Sequence, residues 1–448
     1  LVQSCCLTQD RRVSDVLNKP WNVVREGARQ NAHWLLANGL PRLLLASLAK
    51  QGDLQGRINF EVSGGQEPWT LIEEIRDAGP IVKGKLGFMS VDYEVVRQVL
   101  SSNDFRSGNP ALDRPDRLAR WASSTAPAYV HPLRHPSLLV IEPPEHTRYR
   151  KLVRGVFTNR AVEKLRESTE EIAARLLDDM SDRSSVDLID VYCSRLPVEV
   201  IAEILGVPSK DRAMVLELAT VAAPSLDFGL SWRVGRKVEA GLRKFDAWLD
   251  DHLTRLRSNP GDDLLSQLAC ANDDLGPLTM TELKSTAGLL LAAGFETTVN
   301  LLGNGAALLD EHPGELARLR ADEAMWANAV EEVLRFDPPV LLTGRHTDSG
   351  ATIAGKSIPP GSAFVTIFAG ANRDPAVFDV GRENAREHLS FSLGRHHCLG
   401  ASLARMEGEV GLRMLFERYP ELSVLPGGNR RPTKILRGWE KLPVSLGN

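Results

Sequence analysis

One stretch of this chain gathers several reactive residue types in a short span: Phe391-Ser392-Leu393-Gly394-Arg395-His396-His397-Cys398-Leu399-Gly400. An amphipathic helix, Ala401–Arg418, is predicted to follow it. A cysteine at a helix N-terminus feels the positive end of the dipole and unpaired backbone N–H groups. Arg395 and His396 add positive charge. These effects favour thiolate over thiol. Gly394 and Gly400 suit a tight loop whose backbone passes close to another group. A thiolate with no second cysteine and no adjacent acid–base pair suits metal ligation better than nucleophilic attack. A buried, inert cysteine is the alternative.

Three other groupings could carry chemistry. In Glu332-Val333-Leu334-Arg335 the charged residues stand at i, i+3 on a helix that ends before Pro338-Pro339, so they share a face and can pair. In Pro143-Pro144-Glu145-His146-Thr147-Arg148-Tyr149-Arg150 the prolines start a helix that puts His146 and Arg150 on one face. Two donors so placed suit a carboxylate or phosphate. In Ala292-Ala293-Gly294-Phe295-Glu296-Thr297-Thr298 a glycine, a carboxylate and two hydroxyls interrupt an otherwise apolar helix, and such breaks gather at functional sites.

The elements that must position these residues are mostly helical. Apolar spacing of i, i+3, i+4 runs through Asp92–Leu100, Ala161–Met180, Leu188–Leu205, Ala213–Ala222 and Val238–Arg257. Thr158 and Ser209 are predicted N-caps, and Gly206-Val207-Pro208 a stop. The interrupted apolar helix starts at a capping box, Thr279-x-x-Glu282, and stops at Pro313. Its roughly 32 residues would span about 48 Å. Ile81–Lys83 and Phe88–Val91 flank Gly84 and Gly87 as a hairpin, and Thr352–Thr366 reads as short strands. His33–Lys50 is a leucine-rich stretch broken by Pro41; it could touch a membrane surface, and packing as a helix on the main body is the expectation. Residues 1–30 are polar and expected to be loosely held, before one large domain over 31–448.

Composition bounds the function. The chain has 448 residues, 54 basic and 58 acidic, with 43% hydrophobic and 25% charged residues. A net charge of −4 speaks against a chain whose main work is binding nucleic acid. Five scattered cysteines with no C-x-x-C pair fit neither a disulfide framework nor a zinc knuckle, and a reducing cytoplasm is the expected compartment. The apolar runs are too short to span a bilayer. No nucleotide-binding fingerprint follows a strand, so electrons for a redox reaction would come from separate proteins.

The pattern F-x-x-G-x-x-x-C-x-G at Phe391–Gly400 resembles the heme-binding signature of the cytochrome P450 superfamily, with Ser392 where a second glycine is usual. The order of Glu332-x-x-Arg335, Ala371-Asn372-Arg373-Asp374-Pro375 and the cysteine loop is similar too. The resemblance runs from about Trp34 to the C-terminus and is closest to soluble actinobacterial members. It implies a mainly α heme-thiolate fold with small β regions, and oxidation of an apolar organic substrate with dioxygen. It implies heme b, with Cys398 as the axial iron ligand and Phe391, Gly394 and Gly400 shaping the loop. His146, Arg150, Arg345 and His396 correspond to heme propionate contacts. Arg382 would join Glu332 and Arg335 in a structural network. Thr297 would bond back to the Ala293 carbonyl and open the helix locally, with Glu296 and Thr297 relaying protons. Leu138, Leu139, Leu290, Ala293, Gly294, Val340 and Thr343 correspond to substrate-pocket positions. The implied partners are a ferredoxin and its reductase, with Arg148, Arg154 and Arg395 as docking charges. Between Phe378 and Asp379 the chain is about six residues shorter than is usual in the family, which bears on heme incorporation. That shortening and Ser392 motivate a second reading, a heme-binding protein without turnover. Oxygenation driven by peroxide is a third, disfavoured by the Glu296–Thr297 pair.

Overall fold

Caps and breakers in the sequence set where the chain turns helical. A computed structural model describes residues 20–62, 67–108 and 125–447. The helices that bear on the site are α1 Pro20–Trp34, α2 Leu40–Lys50, α3 Glu145–Val153, α4 Arg166–Asp178, α5 Arg195–Leu205, α6 Trp232–Ser258, α7 Met280–Glu311, α8 Trp326–Phe336 and α9 Ala401–Arg418. The capping box forms at the start of α7: Glu282 N–H donates to Thr279 Oγ1 at 3.3 Å, and Thr279 N–H to Glu282 Oε2 at 2.6 Å. α7 is 32 residues long and buried on almost every face, as an all-round apolar helix must be. Helix α9 packs tightly on it. A Cβ on Gly305 would lie 2.6 Å from Leu412, and one on Gly411 2.7 Å from Leu302, so glycine is what lets the two backbones approach.

Local chemistry shifts several predicted boundaries. Thr158 caps as expected, its Oγ1 accepting from Ala161 N–H at 3.3 Å. The helix then breaks after Glu163, before α4. The segment from Leu188 opens with a π-helical turn, Ile189–Cys193, before α5. Ser209 is not a cap: Pro208 holds that position, and no side-chain cap bond forms. Pro41 does not break its segment but sits in the first turn of α2, where its missing N–H costs nothing. Residues 20–30, expected to be loosely held, belong to α1; residues 1–19 lie outside the described residues. Leu45, Leu48 and Ala49 of α2 pack inward as expected, whereas Leu40, Leu43 and Leu44 face out.

Strands from the two ends of the chain make one sheet. β1 (Val82–Lys83) and β2 (Phe88–Ser90) form the predicted hairpin. β3 (Leu342–Thr347), not foreseen from the sequence, pairs antiparallel with β4 (Ser362–Ile367), which lies parallel to β2. The sheet order is β1-β2-β4-β3. Near the C-terminus β5 (Asn429–Arg430) pairs with β6 (Trp439–Lys441). The main core sits among the helices around Tyr149, Phe295 and Phe416, and a smaller one lies under the sheet around Ile72, Met89 and Ile367. No helix among the described residues is long and apolar enough to cross a membrane.

Candidate active site

The cysteine loop is closed by its own backbone. Cys398 N–H donates to Phe391 O at 2.8 Å, and His397 N–H to Gly394 O at 3.1 Å. Gly394 has φ +67, and a Cβ there would lie 2.8 Å from Leu100 O, so glycine is required on both counts. Ser392 also lies in the left-handed region, at φ +57. A glycine would adopt that conformation without the side-chain clash. The Arg405 guanidinium covers the Phe391 ring at 4.5 Å. The Gly400 N–H is near enough to the Cys398 sulfur to favour its charged form.

The Cys398 side chain is open on one side and crowded by protein on the others. Burial pushes its thiol up, against the Gly400 N–H and the Arg150 and Arg405 charges. Burial thus outweighs the pull of the neighbouring cations on the sulfur. Part of the expected basic rim is paired with a carboxylate that sequence reading did not single out. Glu142 takes Arg395 Nη1 at 2.6 Å and His396 Nε2 at 3.1 Å, and accepts from Ser107 N–H at 2.8 Å. Burial alone would raise its carboxyl. The His396 bond, the Ser107 N–H and the Arg395 charge overcome that and hold it at about 2. The rim is thus neutralised, and His396 Nε2, expected on a propionate, is engaged by Glu142. The only early signal was an acid directly before Pro143-Pro144.

Other cations reach this loop without a carboxylate. His146 and Arg150 share a face of α3. His146 is buried, with its ring centroid 4.5 Å from that of His396. Burial, helped by the His396 and Arg150 charges, lowers it to about 4, so it is a neutral imidazole at pH 7. Arg150 is half-buried and close enough to Cys398 to feel its charge. Arg345, on β3, is buried, and burial lowers its guanidinium to about 10. It donates to Gly344 O at 2.9 Å, and to Thr343 Oγ1 and Ser392 Oγ at 3.3 Å. Neither arginine has a carboxylate partner among the described residues. Buried charges are normally paired, so two unpaired guanidiniums and a neutral histidine beside an accessible thiol fit a metal-bearing group with two carboxylate tails.

On α7, Thr297 Oγ1 donates to Ala293 O at 2.9 Å, the bond the sequence implied. The expected local opening is absent, because the helix stays α-helical from 280 to 311. Glu296 is buried and ion-paired with Arg431, which follows β5. Burial raises its carboxyl and Arg431 lowers it. Arg431 is held by its Nε on Trp439 O at 3.1 Å; it was missed, being remote in sequence from α7. Among the pocket positions, Ala293 is exposed on an otherwise buried helix, and Leu138, Val340 and Thr343 are half-buried. Three differ from expectation. Leu290 packs in the main core, Leu139 is 40% exposed at the surface, and Gly294 faces α5, where a Cβ would lie 3.2 Å from Ile201.

Beneath the loop, Glu332 is fully buried and takes Arg335 Nε at 2.7 Å and Nη2 at 2.8 Å. Arg382 Nε lies 3.3 Å from the same carboxylate, completing the predicted trio. A second buried acid, Glu331, was not foreseen. It binds Arg405 Nε at 2.8 Å and His388 Nε2 at 3.1 Å, tying α8 to α9 and to the segment before Phe391. Of the expected docking charges, Arg154 is exposed. Arg148 is spent internally, on Asp273 at 2.7 Å and Glu282 at 3.4 Å.

A cysteine loop that runs into α9 and is flanked by two guanidiniums with no carboxylate partner has the features of a heme-thiolate protein. Comparison with known sequences agrees. The Cytochrome P450 family profile matches residues 232–443. A putative cytochrome P450 140 of Mycobacterium tuberculosis is 47% identical over 429 residues, covering 94% of this chain and 98% of that protein. The 6-deoxyerythronolide B hydroxylase of Saccharopolyspora erythraea is 42% identical over 315 residues, 68% of this chain and 76% of that one. A crystal structure of P450BioI in complex with a fatty-acid-ligated acyl carrier protein superposes with a TM-score of 0.77 at 30% identity, covering 85% of this chain and 98% of that one. The chain belongs to the cytochrome P450 superfamily. It is a heme-dependent monooxygenase that inserts one oxygen atom of dioxygen into an apolar organic substrate, with electrons supplied by redox partners.

Proposed function

We propose that the cofactor is heme b, ligated through Cys398, and that the enzyme works in the cytoplasm with a ferredoxin and ferredoxin reductase. When bound, the heme supplies dioxygen activation. The observation that carries the assignment is the pair of carboxylate-free guanidiniums, Arg150 and Arg345, reaching the Cys398 loop. They and His146 would hold the propionates, His396 and Arg395 fix the loop through Glu142, and the nearby Gly400 N–H favours the thiolate. Thr297 presents its hydroxyl at Ala293, on the exposed strip of α7. Glu296 takes up and releases protons under the control of Arg431. Ala293, Val340, Leu138 and Thr343 wall the substrate, and the first three, being apolar, select an apolar one. Arg154 is the docking charge left available to an acidic ferredoxin.

The test is the absorbance spectrum of the reduced, carbon monoxide-bound protein beside Cys398→Ala. A red-shifted Soret band in the parent and not in the variant is expected. Heme bound without that band in the parent would favour the reading without turnover. The same band in both proteins would refute ligation by Cys398.

A further inference from the structure

Exposed large apolar side chains are not spread evenly over this molecule. Of eleven among the described residues, seven lie on two segments that touch. Leu35, Leu40, Leu43 and Leu44 project from the region of α1 and α2, and Leu43 is 67% exposed. Phe228, Trp232 and Val234 project from the loop entering α6 and its first turn. Polar bonds fix the two backbones together while leaving these side chains outside. Trp34 Nε1 donates to Leu230 O at 3.2 Å, Arg42 Nη1 to Gly229 O at 3.1 Å, and Leu230 N–H to Asn38 Oδ1 at 3.1 Å. Trp34 and Trp232 meet edge-on at 5.1 Å. Gly229 has φ +69, and a Cβ there would lie 3.0 Å from Arg42 Cα, so this close approach needs glycine.

The patch is cationic in a chain of net charge −4. Residues 35–50 contain Arg42 and Lys50 and no acid; in residues 227–239, Asp227 is buried and Glu239 pairs with Arg236 at 3.3 Å, which leaves Arg233 and Lys237 as the outward charges. Arg233, Arg236 and Lys237 are exposed and alternate with Trp232 and Val234. Outward leucines on a short helix, a tryptophan at the edge and a basic rim suit an anionic bilayer: the apolar groups enter the acyl boundary and the cations meet lipid phosphates. A second copy on this face would bring like charges together. We propose that this face docks the enzyme on an anionic lipid surface, lying on it without spanning it.

The test uses the full chain with its heme, and vesicles of phosphatidylcholine with and without phosphatidylglycerol. Co-sedimentation is expected with the anionic vesicles, reversed by high salt and much weaker on neutral ones. Leu43→Gln with Leu44→Gln, and separately Arg233→Gln with Lys237→Gln, should each weaken it by ~10-fold or more. Unchanged circular dichroism and heme spectra would certify that both variants fold. Failure of the parent chain to bind anionic vesicles, or binding that both variants retain, overturns the proposal. So does a dimer, or a complex with an acidic acyl carrier protein, that forms without vesicle binding and is lost in the variants.

Discussion

Glu142→Gln tests how the cysteine loop is anchored, because the carboxylate's contribution can be worked from the structure. Its side chain is 17% exposed and is held at about 2, against an ordinary 4.5, by His396, Ser107 N–H and Arg395 acting against burial. A carboxyl lowered on folding stabilises the native state above its unfolded pKa, and that stability is lost as pH falls toward the folded value. A difference of about 2.5 units at about 1.4 kcal/mol each amounts to roughly 3 kcal/mol at pH 7. By the same linkage about 2 kcal/mol remains at pH 3.5, and under 1 kcal/mol near pH 2.5. Urea unfolding of the parent and of Glu142→Gln across this range should show the gap closing as the medium acidifies. A gap of constant size would show that the carboxylate's charge is not its source. No gap at neutral pH would remove Glu142 as the anchor of Arg395 and His396.

Other expectations follow from the same contacts. Arg335→Lys keeps the charge but cannot reproduce five bonds, two to Glu332 and one each to Asn372 O, Pro375 O and Val377 O; a loss of about 3–5 kcal/mol in denaturant unfolding is expected, and a change under 1 kcal/mol would refute the network's role. Arg431→Gln removes the charge that holds the Glu296 carboxyl down against burial, so the carboxyl should stay protonated to higher pH. The Glu296-dependent limb of the pH–turnover profile should move up, and an unmoved profile would dismiss the pair. Gly438→Ala places a Cβ onto Asn300 Oδ1, whereas Gly400→Ala meets nothing of the chain within 4 Å. Thermal unfolding should show a loss of about 1–3 kcal/mol in the first and little in the second; equal losses would contradict the packing described.

What the sequence made legible was local in the chain. The capping box, the Glu332–Arg335 pair and the Thr297 bond to Ala293 each depend on a spacing of three or four residues, which helical geometry fixes without knowledge of the rest of the fold. What stayed hidden depends on contacts between distant segments. Glu142 and Arg395 are 253 positions apart, and nothing in either segment's composition names the other. Arg431 approaches Glu296 from a C-terminal hairpin. Counting Arg395 and His396 as free charge beside the cysteine overlooked the acid that pairs with both. Gly294 was misread because its helix was considered without α5, whose Ile201 takes the space.

The stretch around Phe378–Asp379, below the cysteine loop, is held mainly by side chains. Buried backbone groups need partners, and here side chains supply them. Arg335 takes the carbonyls of Asn372, Pro375 and Val377, and Arg382 takes that of Val377 again. On the far side of the junction, Asp379 N–H donates to Glu332 Oε1 at 2.9 Å and Val380 N–H to Glu315 Oε2 at 2.9 Å. Phe378 turns inward against Phe336 and His312, with ring centroids 5.5 and 4.9 Å away. The buried Glu332 is thereby paired on all sides, which a buried carboxylate requires to remain charged. The segment is thus held by the Glu332–Arg335 pair, by Glu315 and by the aromatic cluster beside it. The segment that follows reaches Ser390, whose Oγ donates to Leu334 O on α8 at 2.6 Å. The base of the Cys398 loop is therefore fixed to α8 directly.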